Sequence, residues 1–191
     1  MGSKKLNINN VFVTVGTTKF KKLIETILCP EIIDILIQLE VKKVILQVGN
    51  DWSIGHNCSK YINYQITVEE EESKITYTNP CGGEIVFECV KYLENFLETI
   101  QQNDLIISHA GAGTCLEVLN QNKPLIVVIN EDLMNNHQTE LAKQLEADEL
   151  AFCSNCDTLK NVLKDIKPRK PYIVGDKNVF GKYLDQCMGF V

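Results

Sequence analysis

The chain has 191 residues, of which 45% are hydrophobic and 23% charged, and a formal net charge of -6. A chain of that size can bury a core of its own, so a single domain over residues 1–191 is expected. The acidic balance, with no cluster of Lys or Arg, excludes the phosphate attraction on which nucleic-acid binders depend. No stretch approaches the roughly 18–20 apolar residues of a membrane-spanning helix, and Met1–Asn10 has no signal-peptide core, so the sequence points to a cytoplasmic protein.

Short β-branched runs alternate with helical stretches from Val11 to Asn130, the signature of an α/β fold with a mostly parallel sheet and helices on both faces. Val11–Val15 reads as the first strand, Gly16-Thr17-Thr18 as a tight loop, and Phe20–Cys29 as a helix stopped by Pro30. Ile32–Glu40 reads as a further helix and Val44–Val48 as a second strand. The polar segment Asp51–Glu84 holds two alternating pieces, Tyr61–Val68 and Lys74–Thr78, that suit a hairpin around the acidic run Glu69–Glu72, itself read as a solvated turn. Ile85–Val90 reads as a strand and Tyr92–Gln101 as a helix. Asp104–Ser108, the loop His109–Gly113, the helix Thr114–Gln121 and the strand Leu125–Ile129 make a complete crossover unit. Helices over Asn136–Ala147 and Thr158–Asp165 end the pattern, with no internal repeat and no dividing linker.

Eight cysteines would suggest disulfides in a small secreted chain; with no signal segment and a full-sized core, reduced thiols are expected. Cys153 and Cys156 form a C-x-x-C pair, but no second pair at metal spacing follows, so no metal site is expected. The pair also lacks the N-terminal strand context of a thioredoxin-like motif.

Ligands of open α/β sheets bind beyond the carboxyl ends of the strands, so polar loops that follow strands carry the most weight. Three qualify: Gly16-Thr17-Thr18, His109-Ala110-Gly111-Ala112-Gly113-Thr114, and Asn135-Asn136-His137-Gln138. Gly111 and Gly113 would let backbone approach a ligand, and the unpaired N–H groups opening the next helix lie at its positive dipole end. That combination suits a diphosphate held without a metal; the same loop also reads as a plain glycine-bearing turn. Thr114 and Glu117 match a capping box, and Glu117 equally suits a carboxylate accepting hydrogen bonds from ribose hydroxyls. His109 reads either as a structural hydrogen-bonding residue or as a donor to a phosphate or leaving oxygen. Asn135 to Gln138 read as helix-start residues or as a group recognising sugar hydroxyls.

Val11-Phe12-Val13-Thr14-Val15-Gly16-Thr17-Thr18, Leu105-Ile106-Ile107-Ser108-His109-Ala110-Gly111-Ala112-Gly113-Thr114 and Asn135-Asn136-His137-Gln138 together resemble the Alg13 family. Its members are catalytic subunits of the transferase that moves GlcNAc from UDP-GlcNAc to GlcNAc-diphosphodolichol in N-linked glycan precursor synthesis. The match runs over Val11–Gln47 and Asp104–Ala147. The family is similar to the donor-binding half of GT-B glycosyltransferases, so the resemblance implies a Rossmann-like domain equivalent to their C-terminal half. It implies that Gly16, Thr17 and Thr18 lie beside the diphosphate, with Gly111, Ala112, Gly113 and Thr114 at its helix end. Glu117 would hold ribose, Asn136, His137 and Gln138 would meet GlcNAc, and uracil would sit near Leu93 and Phe96. Transfer would be inverting, free of metal and cofactor, with His109 assisting the departing UDP and the general base coming from the partner or the interface. That partner would be an Alg14-like membrane-anchored subunit that binds the lipid acceptor and recruits the chain, as a heterodimer, to the cytosolic face of the endoplasmic reticulum. Lys182–Val191 is the candidate docking tail. Two features depart from the family pattern: Lys21 replaces an acidic residue after Phe20, and Asn50–Cys89 is longer than usual.

Two other readings compete. Gly111-x-Gly113 follows a strand and Glu131 stands twenty positions after Gly111, the spacing of an NAD-type dinucleotide-binding oxidoreductase, although Leu116 replaces the third small residue and should spoil helix–strand packing. A non-catalytic sugar-nucleotide-binding subunit would keep the same fold.

Overall fold

The computed structural model describes residues 6–49, 65–68, 74–131 and 136–173. In chain order the elements are β1 (Asn10–Thr14), α1 (Lys21–Ile27), α2 (Pro30–Gln38), β2 (Lys43–Gln47), β3 (Gln65–Val68), β4 (Lys74–Thr78) and β5 (Glu84–Val90). They continue with α3 (Phe96–Gln102), β6 (Leu105–His109), α4 (Ala112–Asn120), β7 (Leu125–Val128), α5 (Asn136–Ala147), β8 (Phe152–Ser154) and α6 (Leu159–Lys164). Among the described residues the strands form one eight-stranded sheet in the order β3-β4-β5-β2-β1-β6-β7-β8. From β5 to β8 every pairing is parallel, while β3 and β4 add an antiparallel edge.

The apolar runs in β1, β6 and β7 explain why these strands lie centrally. Burial on both faces suits near-continuous hydrophobic strands, and alternate residues serve opposite layers. Val11, Val13, Leu105, Ile107, Ile126 and Val128 join one core cluster with Leu23 and Ile27 of α1, Ile33 and Leu36 of α2, and Leu159 and Leu163 of α6. Phe12, Ile106, Leu125 and Val127 face the other cluster, with Ile100 of α3, Cys115, Val118 and Leu119 of α4, and Ala142 and Leu145 of α5. Each fully buried aliphatic side chain contributes roughly 1.5–3 kcal/mol relative to exposure. Helices therefore cover both faces, as the alternating pattern predicts.

The sequence pattern misplaces several boundaries. Pro30 ends the first helix but also opens α2, where its missing N–H falls among groups that lack helical partners anyway. Residues 92–95 stay outside α3, which starts at Phe96. The expected hairpin is present over Gln65–Val68 and Lys74–Thr78; Tyr61 to Tyr64 and the acidic run lie outside the described residues, as does the expected docking tail Lys182–Val191. The short edge strand β8 was not anticipated, because three residues following a polar turn carry no period of their own. Asp104 ties the seam between β1 and β6: its Oδ2 accepts the N–H groups of Asn9 at 2.8 Å and Asn10 at 2.9 Å, across 95 and 94 residues of sequence. Among the described residues no helix is long and apolar enough to cross a membrane.

Candidate functional site

β1 lies between β2, reached through α1 and α2, and β6, reached through α3, so the connections diverge at the β1–β6 seam. A crevice forms beyond the carboxyl ends of strands at such a point. The loops after β1 and β6 meet there, and Asn130 after β7 joins them, its Nδ2 donating to the Lys19 carbonyl at 3.5 Å.

His109 closes β6 and is 7% exposed. Gly16 and Gly111 both pack against its ring. A methyl carbon added at Gly16 would overlap His109 Cε1 and stand 3.0 Å from Nε2; one added at Gly111 would overlap Nε2 and stand 2.8 Å from Cε1. These two glycines therefore make room for an imidazole. Gly16 also adopts φ +59°, which disfavours any side chain. The His109 carbonyl accepts both the Gly111 N–H and the Ser108 hydroxyl, each at 2.8 Å, which tightens the turn into α4. Burial pushes the imidazole below its ordinary value of 6.5; the main chain of Thr14 acts in the opposite, smaller sense, and its geometry falls short of a hydrogen bond to the buried Nδ1. The ring is thus a neutral group at physiological pH.

α4 begins at Ala112, two residues earlier than the pattern suggests, with Gly111 as an extended N-cap that offers no side-chain cap. The expected capping box is therefore not formed as such: Thr114 is the third helical residue and Glu117 lies exposed in the second turn. Cys115 N–H makes the first bond back, to the Gly111 carbonyl at 3.0 Å. The N–H groups of Ala112, Gly113 and Thr114 precede it and have no helical partner. Ala112 and Gly113 are exposed, and a carbon added at Gly113 would meet nothing within 4 Å. Free amides, the positive end of the helix dipole and open space combine in an anion-binding geometry.

Thr17 and Thr18 turn toward the other side of β1. They line a cleft of about 340 Å³ with Gly16, Lys19, Phe20, Lys21, Ile24, Val48, Gly49 and Tyr92. No residue of α4 lines that cleft. Thr18 spends its hydroxyl and N–H on the Val15 carbonyl, at 2.8 and 3.2 Å. Lys21 opens α1 and pairs with Glu25 at 3.4 Å on the surface. Leu93 and Phe96 pack against the second core cluster, and Phe96 meets Phe12 edge-on at 5.6 Å, so the core takes up much of their surface. Gln138 is half-buried in the first turn of α5; Asn136 and His137 begin the same helix, with side chains outside the described residues, and Asn135 lies outside them altogether.

The remaining motif residues are accounted for locally. Leu116 points outward and is 47% exposed, so its size does not disturb packing against the sheet, contrary to the reasoning from the dinucleotide fingerprint. Glu131 accepts a hydrogen bond from Asn155 Nδ2 at 2.9 Å. Cys153 lies in β8 and Cys156 in the core, both as free thiols, and burial raises the pKa of each. Sequence reading missed Thr14 and Gln47, polar residues that end two otherwise apolar strands. Thr14 Oγ1 donates to Gln47 Oε1 at 2.5 Å and accepts the Gly16 N–H at 3.0 Å.

Fold and crevice together define a class, the glycosyltransferase family 28 C-terminal domain, whose family model matches residues 10–173. The chain is 41% identical over 149 residues to the "UDP-N-acetylglucosamine transferase subunit ALG13" of Homo sapiens, covering 78% of this chain and 11% of that protein. With the subunit of the same name from Debaryomyces hansenii it shares 32% identity, covering 71% of this chain and 73% of that one. The chain belongs to the ALG13 family. It spans only a small part of the human relative and 55% of the one from Candida albicans. An NMR solution structure of ALG13 superposes with a TM-score of 0.66 at 26% identity, covering 93% of this chain and 96% of that one. The fold is also that of Acinetobacter baumannii MurG, with a TM-score of 0.57 at 23% identity over 87% of this chain and 41% of MurG.

Proposed function

We propose that the chain is the donor-binding subunit of an N-acetylglucosaminyltransferase, taking UDP-GlcNAc and passing GlcNAc to GlcNAc-diphosphodolichol. The observation that carries this reading is the start of α4: three N–H groups without helical partners, facing open space at the divergence of the sheet, in a family 28 C-terminal domain. The diphosphate of UDP rests on the amides of Ala112, Gly113 and Thr114, Glu117 accepts from ribose, and the first turn of α5 with Gln138 meets the sugar.

Transfer is inverting. The acceptor hydroxyl attacks the anomeric carbon opposite UDP, the bond from that carbon to the diphosphate oxygen breaks with its electron pair leaving on UDP, and a β linkage results. A base from the partner takes the hydroxyl proton. Preorganised donors aimed at the leaving group are often the largest catalytic contribution, and loss of one typically costs about 10²–10³-fold in rate. His109, neutral and wedged beneath the loop, keeps a single ring proton to donate and fixes the backbone that carries the amides.

An Alg14-like membrane-anchored subunit supplies the acceptor side, with the tail Lys182–Val191 as the docking element, and holds the heterodimer at the cytosolic face of the endoplasmic reticulum. Calorimetric titration of the chain with UDP-GlcNAc should give saturable binding, and adding UDP should move the amide resonances of Ala112, Gly113 and Thr114. Binding of NAD in place of UDP, or unmoved resonances in a UDP-bound sample, would refute the reading. Radiolabelled transfer to the lipid acceptor by the two-subunit complex tests turnover; UDP-GlcNAc binding without transfer would make the chain a non-catalytic subunit.

A further inference from the structure

We propose that Thr14 and Gln47 are positioning residues for His109, acting through the backbone of Gly16. The proposal builds on the donor-site reading above. Thr14 is fully buried and Gln47 is 7% exposed. They face each other in register at the last rungs of β1 and β2. Polar side chains at that depth are disfavoured unless hydrogen-bonded, and their bonds converge on one residue. Gly16 gives its N–H to Thr14 Oγ1 at 3.0 Å, while its carbonyl accepts Gln47 Nε2 at 3.5 Å. The hydroxyl in turn donates to Gln47 Oε1 at 2.5 Å, which sets the orientation of both side chains. Both main-chain polar groups of Gly16 are therefore held, the N–H by the last residue of β1 and the carbonyl by the last residue of β2.

The held residue touches the imidazole. Gly16 packs against the ring so closely that an added carbon would overlap Cε1, and Gly111 packs against it as closely, an added carbon there overlapping Nε2. A turn free to relax would open one wall of that slot. His109 would then tilt, admit water and alter the loop that leads to the α4 amides. Among the described residues no charged side chain acts on the ring; its burial and the Thr14 main chain set its protonation. The wall is thus the feature to perturb.

The test follows the His109 ring nitrogens by NMR across pH in the full chain, with UDP affinity measured in parallel. Thr14→Val and Gln47→Leu should each raise the His109 midpoint toward that of an ordinary histidine and weaken UDP binding several-fold. Thr14→Ser, which keeps the hydroxyl, should restore both. An unchanged midpoint in folded Thr14→Val and Gln47→Leu overturns the proposal. Should these variants not fold, amide exchange in the unaltered chain decides: a Gly16 N–H bonded to a buried hydroxyl exchanges slowly, and exchange at the solvent rate overturns it. An unaltered chain with no UDP affinity refutes the donor reading alone, since the ring titration still judges the positioning role.

Discussion

Replacing Gly16 by Ala imposes two separable penalties. The backbone there sits at φ +59°, where a side chain costs about 1 kcal/mol. The new methyl carbon would also overlap His109 Cε1 and stand 3.0 Å from Nε2 and 3.3 Å from Nδ1. Gly111 packs against the same ring as closely, since an added carbon there would overlap Nε2, which limits how the ring can shift. Forcing a packed group aside costs about 1–3 kcal/mol. Together these give about 2–4 kcal/mol, which for a domain of this size lowers Tm by about 4–16 °C. Circular dichroism melts of Gly16→Ala against the unaltered chain measure it, and Gly113→Ala is the control. With nothing within 4 Å of its added carbon, and Ala the better helix former by about 0.5–1 kcal/mol, Gly113→Ala should hold or raise Tm. A Gly16→Ala melt within about 2 °C of the unaltered chain would refute the idea that this glycine exists to seat the histidine.

Gly113→Ala should nevertheless lose UDP affinity, since its methyl enters the space over the α4 amides; calorimetry would show a higher Kd despite equal or greater stability. Glu117→Ala should change stability by no more than about 0.5 kcal/mol, because the residue is exposed and caps nothing, while weakening UDP binding; unchanged affinity in the folded variant removes the ribose role. Burial lowers the His109 pKa below 6.5, so the unfolded chain gains its proton at higher pH than the folded one. The stability this contributes is whole above about pH 6.5 and is lost as pH falls through the folded value, with a slope of up to about 1.4 kcal/mol per pH unit; His109→Gln should flatten that slope in denaturant titrations. Cys115 is buried with its thiol pushed up to about 12, whereas Cys81 is exposed. Mass spectrometry after brief alkylation at pH 8 should find Cys81 modified and Cys115 untouched.

The central parallel strands were legible because their physics is local. Val11 to Val13 and Leu105 to Ile107 are continuous apolar runs, and a glycine-bearing turn followed by a helical period comes after each of these two strands. Boundaries were less legible. Thr114 looks like an N-cap by residue type, yet Gly111 takes that place, in a tight turn that packs against the His109 ring together with Gly16 from the loop after β1. The same holds for Thr14 and Gln47, which read as strand ends until the register sets them side by side. Lengths of helix follow from neighbouring residues; the purpose of a buried polar side chain follows only from what lies across the sheet.

The seam between β1 and β6 also bears on how the protein comes to be. Asp104 bridges to Asn9 and Asn10 across 95 and 94 residues, and the imidazole slot needs Gly16 from the loop after β1 and Gly111 from the loop after β6. Contacts so distant in sequence carry a loop-closure cost and form late. A nascent chain that has emerged only through β5 can pair β1 with β2, yet it possesses neither the histidine nor the helix that would receive a ligand. On the donor-site proposal, nucleotide therefore cannot guide the first half of the sheet into shape during synthesis; it can only reward a topology already closed.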